Sequence, residues 1–178
     1  FVTADPTWDL ATRRISNLKQ YRLSDNYLRF YIKYVQPNRE MIASGRFQFG
    51  SLIGLPYWEA VMGLQFVNLV LNNLRTICEA IGITPSSVVR WGPYFQRATK
   101  RRPGCQVDLM IQSRYRVLYL CEVKFSTGKV GISTGHEMEA KLAKMALPKG
   151  WSYRLVLIHV NGVTGELLGS SLFDHFVD

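Results

Sequence analysis

An aspartate, Asp108, and a Glu122-Val123-Lys124 tripeptide sit on two adjoining apolar runs of this chain. Carboxylate oxygens are ligands that a hard divalent cation such as Mg²⁺ or Mn²⁺ takes, and a neighbouring lysine can hold an attacking water or steady charge on a phosphate. The two runs read as a β-hairpin. Val107, Leu109 and Ile111 alternate with Asp108 and Met110, residues 117–123 are apolar and aromatic, and Gln112-Ser113-Arg114 supplies a turn between them. With a side-chain period of two, Glu122 and Lys124 share one face, and pairing of the arms places Asp108 beside them. The same three residues also suit a salt-bridged cluster on a half-exposed strand, which contributes little to stability. An Asp followed by Glu-x-Lys is by itself a weak pattern.

Other elements must hold this hairpin in place. A first strand is expected over 93–98, and the loop after it carries Lys100, Arg101 and Arg102 straight into the Asp108 arm. Three consecutive cations there suit a phosphodiester backbone, whose neutralisation releases counterions, and equally suit a soluble hairpin tip. Before the sheet, the spacing of Val61, Leu64, Leu69, Leu71, Leu74, Ile77 and Cys78 predicts one long helix over 57–81, ended by Gly82. After Lys124, Ser133 or Thr134 caps a helix over about 135–146 with Met138, Leu142 and Met145 on one stripe and Lys141 beside it, either reaching a substrate or solvated. An apolar strand follows at 153–160, then the turn Asn161-Gly162, a further strand from Val163, and a final helix beginning at Ser171. His159 reads as a hydrogen-bonded core histidine, and His136 as a proton carrier or a surface residue.

The first third of the chain is organised differently. Residues 1–23 hold two short extended candidates, at 1–3 and 19–23, as an incomplete hairpin. A short aromatic helix over 24–35 is capped by Ser24 or Asp25 and stopped by Pro37. Residues 36–55 form a connector with a helical piece at Arg39–Ala43 and bends at Gly45, Gly50 and Gly54, which places a domain boundary around 50–56.

With 178 residues, 47% of them hydrophobic and 20% charged, the chain has room for a substantial core. The formal charge of +9 favours a polyanion as partner, nucleic acid ahead of an anionic membrane. Cys78, Cys105 and Cys121 have no metal-type spacing and read as reduced core thiols of a cytosolic protein. No apolar run reaches the length of a membrane span, and no basic-then-apolar leader opens the chain.

Gly104-Cys-Gln-Val-Asp108, followed by Leu120-Cys-Glu122-Val-Lys124-Phe, resembles the Asp…Glu-x-Lys core of the PD-(D/E)xK (restriction-endonuclease-like) nucleases. The version it resembles most is the one fused to the C-terminus of AAA/STAND-type ATPases of archaea and bacteria, because residues 21–31 are also similar to the segment that precedes the nuclease-like domain there. The resemblance implies a restriction-endonuclease-like α/β sandwich with a mixed central sheet over 51–178. It implies a winged-helix tail and short helical linker over 1–50. It further implies a Mg²⁺ or Mn²⁺ held by Asp108, Glu122 and the Val123 backbone carbonyl, with Lys124 orienting the attacking water. Lys100, Arg101, Arg102 and Lys141 would then grip DNA. No P-loop is present and the chain opens Phe-Val-Thr rather than Met, so it reads as a piece of a longer protein whose ATPase domain lies elsewhere on the same polypeptide.

One departure from the pattern bears on catalysis. The helix before the sheet is expected to carry a glutamate in a Gly-x-x-Phe-Glu pattern, and here the stretch reads Gly63-Leu-Gln-Phe66-Val67. Glu59, one turn earlier, is the nearby carboxylate, either a substitute ligand or a surface residue. The valine leaves open a catalytically silent module that binds DNA or a protein partner. The aromatic helix leaves open an oligomerisation domain.

Overall fold

Apolar residues on consecutive positions, Leu109-Met110-Ile111 and Leu118 to Cys121, mark strands that are covered on both faces. The computed structural model describes residues 1–48, 51–100 and 103–178, and these strands form the middle of its sheet. β4 (Cys105–Ser113) and β5 (Val117–Lys124) pair antiparallel, with Leu109 opposite Cys121 and Ile111 opposite Tyr119. β3 (Val88–Gln96) lies antiparallel outside β4, while β6 (Ser152–His159) and β7 (His175–Val177) extend the sheet in parallel beyond β5. The parallel β5–β6 pair needs a crossover, and α5 (Ile132–Lys144) supplies it.

Side-chain alternation then builds two cores. On one face Met110, Leu118, Leu120 and Leu157 pack under Met138 of α5, together with Trp8 and Tyr94. On the other, Leu109, Ile111, Cys121, Val123 and Val156 pack on α3 (Trp58–Asn72) and α4 (Leu74–Ala80) through Val70, Leu71, Ile77 and Cys78. The architecture is mixed α/β with a five-stranded mixed central sheet, compatible with an α/β sandwich. Among the described residues no helix is long and apolar enough to cross a membrane.

Several local expectations are corrected. The helix over 57–81 is two helices, because Asn73 leaves helical geometry at φ −120°, ψ 38° and its side chain donates to the Leu69 carbonyl at 2.8 Å. Gly82 does end the second, at φ +70°. β3 begins at Val88, and Pro93 is accommodated where its register shifts on the sheet edge. Val163 makes only an isolated bridge to Val130. Thr164 then accepts from Leu167 N and starts α6 (Gly165–Gly169). The expected C-terminal helix is instead strand β7, because Asp174 bonds Leu155 through both its amide and its carboxylate and draws the segment to the β6 edge.

At the N-terminus β1 (Val2–Trp8) and β2 (Ile15–Leu23) form a complete antiparallel hairpin rather than an incomplete one. Asp25 is the cap of α1 (Asn26–Phe30), which runs on as a π-helical turn over Tyr31–Val35, a 3₁₀ turn over Gln36–Asn38 and then α2 (Arg39–Ala43). The hairpin is tied to the sheet by Gln112, which is fully buried. Its amide accepts from Trp8 Nε1 at 2.8 Å and donates to the Leu10 carbonyl at 2.8 Å. Gln112→Leu keeps the volume and strands both groups in an apolar core. A loss of about 2–4 kcal/mol in urea unfolding is therefore expected, with Trp8 fluorescence reporting the release of the hairpin.

Candidate functional site

Register decides where the carboxylates go. Gly92 pairs with Met110 and Tyr94 with Val107, so β4 has one residue more than β3 between these pairs and bends at 108–109. The β4–β5 ladder ends at Leu109–Cys121, and beyond it the Asp108 carboxylate takes over, its Oδ2 accepting from Val123 N at 3.0 Å. A strand residue directs its N–H and C=O to the same edge, so the Val123 carbonyl also faces the Asp108 side.

Glu122 stands on the α5 face with Leu118 and Leu120, only 4% exposed. Its Oε2 accepts from Lys141 Nζ of α5 at 2.5 Å, and its Oε1 lies 3.3 Å from Lys124 Nζ. Lys124 in turn donates to Glu137 Oε2 of α5 at 3.1 Å. The result is an alternating row, Lys141, Glu122, Lys124, Glu137, across the gap between β5 and α5. Burial, followed by the Glu122 charge, pushes the Asp108 carboxyl above the ordinary aspartate range, against the Val123 N–H and the two lysines. For Lys124, burial disfavours the charge, but Glu122 and Glu137 outweigh it and hold its pKa above that of a free lysine.

Glu122 and Lys124 are thus in contact, and Asp108, bonded to the intervening Val123 N–H, is near enough to feel the charges of both. Lys141 belongs to the same row and is not simply solvated. Glu59 does not join it. Its Oε1 accepts from Thr127 N at 3.0 Å and Thr127 Oγ1 at 2.6 Å, which fastens the loop after β5 and lowers its pKa through those two bonds. Glu59→Gln is therefore expected to speed amide exchange in that loop while leaving Mg²⁺ affinity within about twofold, read by hydrogen exchange and calorimetry. Lys100 is exposed in the turn after β3, and Arg101 and Arg102 lie outside the described residues. His159 differs from expectation. Its Nδ1 is buried without a hydrogen bond, 3.5 Å from Asp178 Oδ1. His136 faces Glu139 at 3.3 Å on the exposed side of α5. Glu137 was not singled out from sequence, although its spacing of four from Lys141 puts both on one helix face.

Among the described residues no group of three or more His, Cys, Asp or Glu side chains is arranged to hold a metal ion. The donors at hand are two carboxylates and a backbone carbonyl, an all-oxygen set that fits a hard cation retaining most of its water, as Mg²⁺ and Mn²⁺ do. Such a cation would compete with Lys141 and Lys124 for the Glu122 oxygens. No protein-family model matches the chain, and no curated protein matches it.

Proposed function

We propose that this chain is a PD-(D/E)xK-type nuclease-like domain that hydrolyses DNA phosphodiester bonds, and that it forms the C-terminal part of an AAA/STAND-type ATPase of the cytoplasm. The observation that carries this reading is the contact of Glu122 with Lys124 beside Asp108, whose carboxylate bonds the intervening Val123 N–H and feels the charges of both. Asp108, Glu122 and the Val123 carbonyl are the groups that would hold Mg²⁺ or Mn²⁺, and the bound ion would supply a water of lowered pKa and offset charge on the phosphate. The chain's own groups do the rest. Lys124, kept charged by two carboxylates, has an ammonium proton to spare for an attacking water or a phosphate oxygen. Lys141, released from Glu122, becomes a cation at the site edge for the DNA backbone. The +9 charge draws the strand in without reading its sequence.

Titration calorimetry with Mg²⁺ and Mn²⁺, run beside plasmid nicking on wild type, Asp108→Ala and Glu122→Ala, tests this. The expected result is binding and nicking by wild type and neither by the variants. A second reading, a silent DNA- or protein-binding module, draws on the two ammonium groups that already neutralise Glu122 and on Val67 in place of a glutamate. It predicts no cation binding and no nicking, with DNA still retained on a filter at low salt.

A further inference from the structure

A cavity of about 230 Å³ lies between the N-terminal hairpin, α1 and α3, with Asp108 in its wall. Arg22, Arg29, Val67, Pro93 and Gln106 line it, so residues from both ends of the 1–50 and 51–178 division form one wall. The two arginines differ in what balances them. Arg22 is fully engaged: its Nε donates to Asp5 Oδ2 at 2.9 Å and its Nη1 to the Asn68 side chain. Asn68, wholly buried, is itself held by the Leu23 carbonyl at 3.0 Å and Asn26 Oδ1 at 2.8 Å. Arg22 and Asp5 therefore cancel, on a rigid frame.

Arg29 has no such counterpart. Its Nη2 donates to the Leu23 carbonyl, its Nε is buried with no hydrogen-bond partner, and no described carboxylate lies within ion-pair distance. Burial, followed by the Arg22 charge, holds its pKa below the ordinary arginine value, as expected for a cation short of counter-charge. A buried donor left unmade is costly, and a guanidinium is a fork of donors shaped for a phosphate's oxygens. The volume is below the roughly 300–1,000 Å³ typical of pockets for organic ligands, which suits a phosphate with its adjoining sugar atoms rather than a whole nucleotide.

We propose that this cavity seats one backbone phosphate of a nucleic-acid strand, held by Arg29, on the α3 side of Asp108. The assignment to a strand rests on the nuclease-like reading; the anion site itself does not. Val67 keeps the cavity open and uncharged, whereas a glutamate there would fill it and pair with Arg29. Asp108 in the wall opposes an anion, so its charge sets the affinity in the absence of a divalent cation.

The test is a titration of cation-free protein at low salt with inorganic phosphate and with 5′-phosphorylated dithymidine, followed by NMR. Both probes are expected to bind, the dinucleotide more tightly. Arg29→Gln should weaken both about tenfold, Val67→Glu should abolish binding, and Asp108→Asn should tighten it. Unchanged binding in Arg29→Gln overturns the proposal, and binding of inorganic phosphate alone overturns the strand as its source. Should Arg29→Gln fail to fold, Arg29→Lys and Val67→Glu decide, and wild-type affinity in both overturns it. Phosphate binding through Arg29 without cation binding or nicking keeps this site and removes the hydrolytic reading. Nicking with no such phosphate binding does the reverse.

Discussion

Glu122→Gln is expected to lower nicking by at least about a thousandfold and to loosen the fold as well, the larger of its two effects being on activity. The carboxylate is a cation ligand in the proposed site and also the counter-charge for two lysines whose side chains are only 32% and 28% exposed. Breaking a fully buried pair by removing one partner costs about 3–5 kcal/mol, and partial exposure of the lysines brings the expectation to about 1–3 kcal/mol. Lys124 and Lys141 are then left facing one another without a charge between them. Urea unfolding at two salt concentrations reads the cost, which should shrink as salt screens the lysines. Glu122→Gln combined with Lys141→Met should regain part of the stability, because the repulsion is removed, and none of the activity. Loss of stability in the single variant with full nicking retained would mean that Glu122 is a structural ion-pair residue and nothing more.

The parts of this site legible in the sequence are those that depend on strand periodicity alone. Glu122 and Lys124 share a face because they are two apart on one strand, and no tertiary information is needed for that. Asp108 depends on more. Pairing of the two arms is enough to expect it beside them, but the bend that sets it there comes from one extra residue in β4 against β3, a register property that nothing in 105–113 announces. Arg29 and Glu137 are further still from view, since each reaches the site region only through packing of a separate helix on the sheet. The same reason explains the misread elements. Periodicity carried the helix through Asn73, whose side chain found the Leu69 carbonyl, and the helix expected from Ser171 is a strand because the segment pairs with β6. The two extended pieces at the N-terminus are short in the sequence because Asp5-Pro6 and Arg13-Arg14 interrupt the apolar pattern, yet the pairing of 2–8 with 15–23 runs through Asp5 and Pro6.

Asp108→Asn is expected to move stability and function in opposite directions, which separates a functional carboxylate from a structural one. The Asp108 carboxyl is pushed above the ordinary aspartate range by burial and then by Glu122, so the folded chain binds its proton more tightly than the unfolded chain does. Stability from this group is therefore present below the unfolded aspartate pKa, near 3.9, is lost as pH rises toward the folded value, and stays lost at neutral pH. Asparagine imitates the protonated acid, keeping an oxygen for Val123 N–H and no charge. Without a divalent cation the variant should be more stable than wild type at pH 7, on the order of 1 kcal/mol or a few degrees in Tm, with the gap closing near pH 3–4. Saturating Mg²⁺ should then reverse the order, adding about 2.7 kcal/mol to wild type at a hundred times Kd and nothing to the variant, which should not nick DNA. A calorimetric scan of both proteins with and without Mg²⁺ at pH 4 and pH 7 reads every one of these signs. Lower stability of the variant at pH 7, together with no response of wild type to Mg²⁺, would make Asp108 a strand-fastening residue whose carboxylate serves Val123 alone.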